Sequence, residues 1–291
     1  MPNGIIVIDK PAQWTSHDVV SKCRRLLGER RIGHAGTLDP MATGVLPIFV
    51  GRATRAVEYA AQGGKEYLAG LRLGLSTDTQ DITGTVLTTS DAAVSPQALE
   101  EALAPFRGDI LQLPPMYSAL KKNGRPLYEL ARKGVEVERQ PRPVTIHALE
   151  VVEHPAENRF VLRVACSKGT YVRTLCHDIG QALGCGGVMD SLRRTRAAGF
   201  SLEQAVTLEE LTRAAEEGRG EQLLLPVDSY FSQYPALTIQ PAQARLCRNG
   251  NPFSCAGQDG LYRVYGPEGD FLMLGRLEQG RMVTVKSFFD V

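Results

Sequence analysis

The chain is short of nearly everything that announces a familiar cofactor. It has six cysteines in 291 residues, and no two are spaced as C-x-x-C. A zinc ribbon or a redox pair therefore has no framework here. The pattern G-x-x-x-x-G-K-[S/T] is absent, and no G-x-G-x-x-G follows a strand-like run. Nucleoside-triphosphate chemistry and dinucleotide cofactors thus find no cradle. No apolar run approaches the ~20 residues that span a bilayer. The opening Met1-Pro2-Asn3-Gly4 lacks the basic and apolar regions of a secretory signal. These absences predict a cytoplasmic, reduced chain with its thiols buried. A large net charge is missing too: the balance is +1, which excludes a uniformly basic nucleic-acid coat.

The composition that remains is ordinary for a globular protein, with 43% hydrophobic and 22% charged residues. Charge is segregated, however. Between Lys121 and Arg142 there are seven cations against three acids. A basic face of this kind can collect phosphates by counterion release, although a solvated, salt-bridged surface is the commoner meaning of such a run.

Ile5-Ile6-Val7-Ile8 predicts a strand. Ser16 is expected to cap a helix with Val19, Val20, Cys23, Leu26 and Leu27 on one stripe and Gly28 as its stop. From Lys65 to Gly74 the residues Tyr67, Ala69, Leu71 and Leu73 alternate as in a half-buried strand. Helices are expected after Ser95-Pro96, over Leu127 to Lys133 and over Val172 to Leu183, with strands at Val144 to Glu153 and Phe160 to Cys166. Thr207-x-x-Glu210 reads as a capping box. From Tyr234 onward, short apolar runs spaced by glycines predict a compact all-β module. The fold class is α+β, with residues 1–233 as the main domain and 234–291 as the module.

The densest signal is Gly33-His34-Ala35-Gly36-Thr37-Leu38-Asp39-Pro40-Met41-Ala42-Thr43-Gly44-Val45-Leu46-Pro47. Three glycines and two prolines constrain a segment that holds one carboxylate, and arginines stand on both sides of it. Taken as a dipeptide, Asp39-Pro40 is a favourable helix start, but the residues that follow leave room for only a turn or two. Lys168-Gly169-Thr170-Tyr171-Val172-Arg173 joins a strand to a helix. An arginine near a catalytic carboxylate would keep it ionised. Tyr67 reads as core unless it lines a cleft, where it could stack on a base. His34 reads as structural, or as a ring that stacks on an unpaired base. Cys176-His177-Asp178 is no catalytic triad, since adjacent helical residues point in different directions. A single acid without a metal cluster disfavours two-metal nuclease chemistry and, more weakly, a two-carboxylate glycosidase. What remains is one Asp acting on a base taken out of the stack.

These residues resemble a known family. The Gly33–Pro47 segment is similar to the catalytic motif of the bacterial TruB-type tRNA pseudouridine synthases. So are Asp9-Lys10-Pro11 with Thr15-Ser16, Lys65-Glu66-Tyr67, Gly74-x-x-Thr77-Asp78-Thr79-x-Asp81, Pro114 to Lys121, Ser167 to Arg173 and Leu192-Arg193-Arg194. The resemblance spans most of residues 4 to 230, in family order. It implies the pseudouridine synthase fold, with a basic insertion at about 114–142 and a PUA-like RNA-binding module at 234–291. It implies conversion of uridine 55 in the tRNA T-loop to pseudouridine by a monomer without cofactor or metal. Asp39 would be the essential carboxylate, acting either at the base or at the sugar C1′. Arg173 would pair with it and Tyr67 would stack on the base. Tyr171 and Leu192 would line the pocket, and His34 would insert into the T-loop. Lys10, Asp81 and Lys121, in the matching motifs, would contact substrate. The family commonly has glycine where this chain has Gln13, so a strained turn is expected there. Two other readings are a catalytic subunit of a guide-RNA-directed pseudouridylation particle and a non-catalytic tRNA-folding protein.

Overall fold

A computed structural model describes residues 1–122 and 124–289. A nine-stranded sheet forms the body of the molecule. Its path runs Gly4–Lys10, Thr43–Val50, Gly187–Ala197, Lys65–Leu73, Arg159–Cys166, Arg142–Ala156 and Gly108–Gln112. The short strands Ile32–His34 and Phe200–Ser201 attach at its sides. Pairing is antiparallel except between Thr43–Val50 and Gly187–Ala197, which run parallel, with Gly44 opposite Arg194. The expected α+β class is what forms.

The alternation in Lys65–Leu73 is the pleat itself. Tyr67, Ala69, Leu71 and Leu73 are buried, and they pack with Leu162, Val164, Leu175 and Met189 under the helix Val172–Ala182. The strand Gly187–Ala197 has no such clean pattern, because Arg193, Arg194 and Arg196 interrupt it. It becomes a strand because neighbours on both sides need a partner.

The helix Ser16–Leu27 ends at Gly28, whose φ of 63° closes the C-terminus as expected. Its cap is corrected by one residue. Thr15 Oγ1 accepts from the Asp18 N–H at 3.1 Å, and Asp18 accepts in return from the Thr15 N–H at 2.9 Å. Ser16 is thereby released from capping, and its buried hydroxyl accepts from the Leu38 N–H at 2.9 Å. An expected helix cap is instead a pin on the Gly33–Pro47 segment.

The insertion contains a short hairpin, Lys121–Lys122 against Arg125–Pro126, and a helix Leu127–Ala131 that is shorter than expected. The last five strands form a second sheet in the order Ala236–Thr238, Gly260–Tyr265, Phe271–Glu278, Arg281–Ser287, Phe253–Ser254. An all-β reading of this part is corrected by the helix Pro241–Arg248, which starts on Pro241 and buries Ala244 and Cys247. This sheet has its own small core around Val264, Leu272 and Met282. It is also fastened to the body. Phe231 packs on Phe271 and Phe288 with ring centroids 6.2 and 5.5 Å apart, and Arg55 donates to the Ser287 carbonyl at 3.0 Å. Among the described residues no helix is long and apolar enough to cross a membrane.

Candidate active site

Asp39 lies in the connection between Ile32–His34 and Thr43–Val50. No helix follows it. Pro40 and Met41 make one turn, closed by the Ala42 N–H donating to the Asp39 carbonyl at 3.0 Å, and the extended strand starts at Thr43. The carboxylate is 40% exposed and borders a cavity of about 730 Å³.

Arg173, near the start of the helix Val172–Ala182, places Nε 3.0 Å from Asp39 Oδ2. Its side chain is only 8% exposed, whereas the carboxylate is 40% exposed, so water screens the pair from the Asp39 side. The other nitrogens are fixed as well. Nη1 donates to the Thr79 carbonyl at 3.1 Å and Nη2 to the Tyr117 carbonyl at 2.8 Å. Asp81 Oδ2 stands 3.7 Å from Nη1. The other Asp81 oxygen accepts from the Thr83 N–H at 3.0 Å and from the hydroxyls of Thr79 and Thr83. This cage leaves the guanidinium one orientation, aimed at Asp39.

Tyr67 is 6% exposed on the cavity wall, and its hydroxyl meets Arg194. Burial pushes the phenol above its ordinary value, with Arg194 acting in the other direction, so it stays protonated at neutral pH. Tyr171 and Leu192 line the same cavity. Tyr171 is held by Gln112, a buried amide that accepts from its N–H at 2.8 Å and donates to its carbonyl at 3.1 Å. Asp39, Tyr67, Asp81, Tyr171, Arg173 and Leu192 are thus brought together.

Three expected substrate contacts are not at the cavity. Lys10 is fully buried, and its ammonium donates to the carbonyls of Pro11 at 2.9 Å, Trp14 at 2.6 Å and Pro40 at 3.3 Å. All three N–H groups are occupied, so Lys10 tethers the Asp39 turn. Burial lowers its pKa to about 8, against the pull of Asp39. His34 is partly buried at the end of its strand. Burial, then Arg194, keep its pKa below the usual histidine value, so the ring is neutral at pH 7. Lys121 is exposed on the insertion hairpin. Gln13 does carry the expected strained backbone, with φ 68°, and its N–H donates to the Pro40 carbonyl at 2.8 Å.

Arg194 stands in the Leu192-Arg193-Arg194 motif, but nothing in the sequence assigns it a role. It is 0% exposed, yet among the described residues it has no carboxylate partner. It donates to the carbonyls of Val45 at 2.7 Å, Gly36 at 3.0 Å and Thr37 at 3.5 Å. Burying a cation costs several kcal/mol, but hydrogen bonds to a charged group contribute roughly 1.5–3 kcal/mol each, so three of them can offset it. Arg194 is the floor of the Asp39 segment. The close fit shows at Gly44, whose φ is 102° and where a Cβ would come within 2.2 Å of the Arg194 carbonyl oxygen.

Known proteins resemble this chain along most of its length. Residues 24–172 match the model for the TruB family pseudouridylate synthase N-terminal domain, and residues 173–232 that for the tRNA pseudouridylate synthase B C-terminal domain. The chain belongs to the TruB family. It is 45% identical over 282 residues to tRNA pseudouridine synthase B of Azoarcus sp. (strain BH72), covering 96% of this chain and 93% of that protein. To the protein of the same name from Syntrophotalea carbinolica it is 49% identical over 251 residues, covering 86% and 81%. Among solved structures, this TruB-family chain resembles one in an H/ACA RNP bound to a substrate RNA containing 2′-deoxyuridine. That match has a TM-score of 0.74 and 25% identity, over 99% of this chain and 86% of the other. A chain of a Cbf5-Nop10-Gar1 complex matches with a TM-score of 0.75 and 27% identity, over 99% and 85%.

Proposed function

We propose that this TruB-family protein isomerises a uridine of tRNA to pseudouridine, at position 55 of the T-loop, as a cytoplasmic monomer without cofactor. The observation that carries the reading is the Asp39 carboxylate, 3.0 Å from a caged arginine at the edge of a cavity of about 730 Å³. That volume suits a flipped nucleotide and its neighbours. The N1–C1′ bond breaks, the base turns, and C5 bonds to C1′. The proton on C5 leaves and N1 ends protonated, so product and substrate are isomers. Asp39 acts on the flipped nucleotide either at the base or at C1′. Arg173 pairs with it and fixes its orientation, and Tyr67 lies against the base as a neutral phenol. Tyr171 and Leu192 shape the apolar part of the pocket, Asp81 steadies Arg173, and Lys10 steadies the turn.

Residues 114–142 close over the RNA in this proposal. Tyr128 and Arg132 of this segment already line the cavity, while Lys121, Lys122, Arg125 and Lys133 are exposed. Closure would keep water from the broken-bond intermediate. His34, as a neutral plate, takes the place of displaced T-loop bases. Residues 234–291 serve as a PUA-like RNA-binding module. The guide-RNA-directed alternative rests on structures at 25–27% identity, whereas relatives at 45–49% are named tRNA pseudouridine synthase B.

The test is tritium release from a T-arm stem-loop labelled at uridine C5. Release at stoichiometric yield is expected, and replacing the target uridine with cytidine should stop it while binding persists. No release from the uridine RNA, or equal turnover of the cytidine RNA, would refute the reading. Arg173→Ala should lower the single-turnover rate by about 10²–10³-fold, the scale of a lost electrostatic contact, with RNA affinity within a few-fold. An unchanged rate with weaker, strongly salt-dependent binding would make Arg173 a phosphate contact instead.

A further inference from the structure

The cavity has a second charged wall that the proposed chemistry does not use. Lys65 opens the strand Lys65–Leu73 two residues before Tyr67, so both side chains leave the same face of the pleat, and both line the cavity. The lysine lies over the Asp39 segment. A Cβ built on Gly36 would come within 3.0 Å of Lys65 Cε and 4.0 Å of its Nζ, and within 3.4 Å of Arg194 Nη1. Lys168 adds a further positive charge close enough to act on Lys65.

This cluster is left without counter-charge. Among the described residues no carboxylate pairs with Lys65, and its one polar contact is a long hydrogen bond to the Gly63 carbonyl, 3.4 Å. Glu66, next in sequence, is engaged with Arg163 at 3.0 Å and with Thr195. Arg194 is committed to backbone carbonyls and to Tyr67. Burial first, then Arg194, lower the lysine's pKa, as expected for a cation short of counter-charge. The Arg173 wall of the same cavity is the reverse case, with Asp39 and Asp81 both facing one guanidinium. A half-buried cation without a counter-ion, in a cavity meant for a polyanion, is completed by an anion from the ligand. A phosphodiester is the anion that RNA brings, and a charge-assisted hydrogen bond to it is of the strong kind.

We infer that Lys65 anchors the phosphodiester flanking the flipped uridine, while Tyr67, two residues along the same strand face, lies against its base. The inference rests on the proposed function, since it needs RNA in this cavity. It makes the first residue of the strand a backbone reader and the third a base reader, so one rigid element sets the distance between them.

The experiment uses T-arm stem-loops in which single phosphodiesters around the target uridine are replaced by neutral methylphosphonates. Binding is measured with Asp39→Asn protein and turnover with the wild type. One methylphosphonate adjacent to the target should weaken binding about tenfold or more. Adding Lys65→Met, which keeps the aliphatic stem and removes the charge, should weaken binding to unmodified RNA by a similar factor. It should lower the slope of log K against log salt by about 1. The Lys65→Met protein should then be indifferent to that methylphosphonate. Two losses that multiply independently would overturn the inference and assign Lys65 to the base or sugar. Insensitivity of the Lys65-containing protein to every flanking methylphosphonate would overturn it too, and that arm needs no Lys65 variant to fold. Normal wild-type turnover with such insensitivity removes this inference alone, whereas absent turnover of unmodified RNA removes the proposed function.

Discussion

Asn at position 39 should abolish tritium release, by at least about 10⁴-fold in single-turnover rate, the scale seen when an essential catalytic side chain is lost. The substitution is nearly isosteric. The turn survives, because the Ala42 N–H donates to the backbone carbonyl of residue 39 rather than to its side chain. The amide oxygen can still accept from Arg173, and Arg173 keeps Asp81 as a charged neighbour at 3.7 Å. What disappears is the negative charge and its capacity to attack or to accept a proton. The side chain is 40% exposed, so thermal stability should change little, and affinity for T-arm RNA should stay within a few-fold. Release within tenfold of the wild type, on folded protein, would remove Asp39 from the chemistry.

Arg194→Met should damage both stability and rate, by a route that touches no substrate. Methionine fills much of the volume but leaves the carbonyls of Gly36, Thr37 and Val45 without their donor in a buried site. An unsatisfied buried polar group costs roughly 1–3 kcal/mol, so a total loss of about 3–5 kcal/mol is expected. The thermal midpoint should fall by roughly 10 °C or more for a chain of this size. The Asp39 segment loses its floor, and a displacement of about 1 Å at a catalytic group can cost ~10²-fold in rate. Arg194→Lys should recover part of the stability, because one ammonium reaches fewer carbonyls than the guanidinium fork. A midpoint within 2–3 °C of the wild type for Arg194→Met, read by circular dichroism, would show that the carbonyls find other partners.

The pieces of the site that are local in sequence are legible in short windows of the chain. The alternation through Tyr67 exposes one strand face, the strand-to-helix step at Tyr171-Val172-Arg173 places an arginine in a first helical turn, and the glycines and prolines around Asp39 mark a turn too constrained for a plain cap. The errors have equally local causes. Thr15 and Ser16 are both good caps, and a capping box with Asp18 decides between them. The helix Pro241–Arg248 is hidden by the glycine spacing around it. Lys10 belongs to a motif that suggests a substrate contact, although its neighbours bury it.

The amino-acid order alone marks this chain as α+β and points to one carboxylate, because periodicity and turn chemistry are properties of short windows. It does not reveal what stands under that carboxylate, or what holds Arg173 against it. Arg194 lies 149 positions from Val45 and meets it only because two strands run parallel across the middle of the sheet. Arg173 reaches Thr79 and Tyr117 across 94 and 56 positions. Lys65 has no visible function as a residue, and it becomes an uncompensated cation only where Gly36, Arg194 and Lys168 converge on it. Burial and charge balance depend on everything within several ångströms, and that neighbourhood is assembled by strand pairing over distances that no local pattern records.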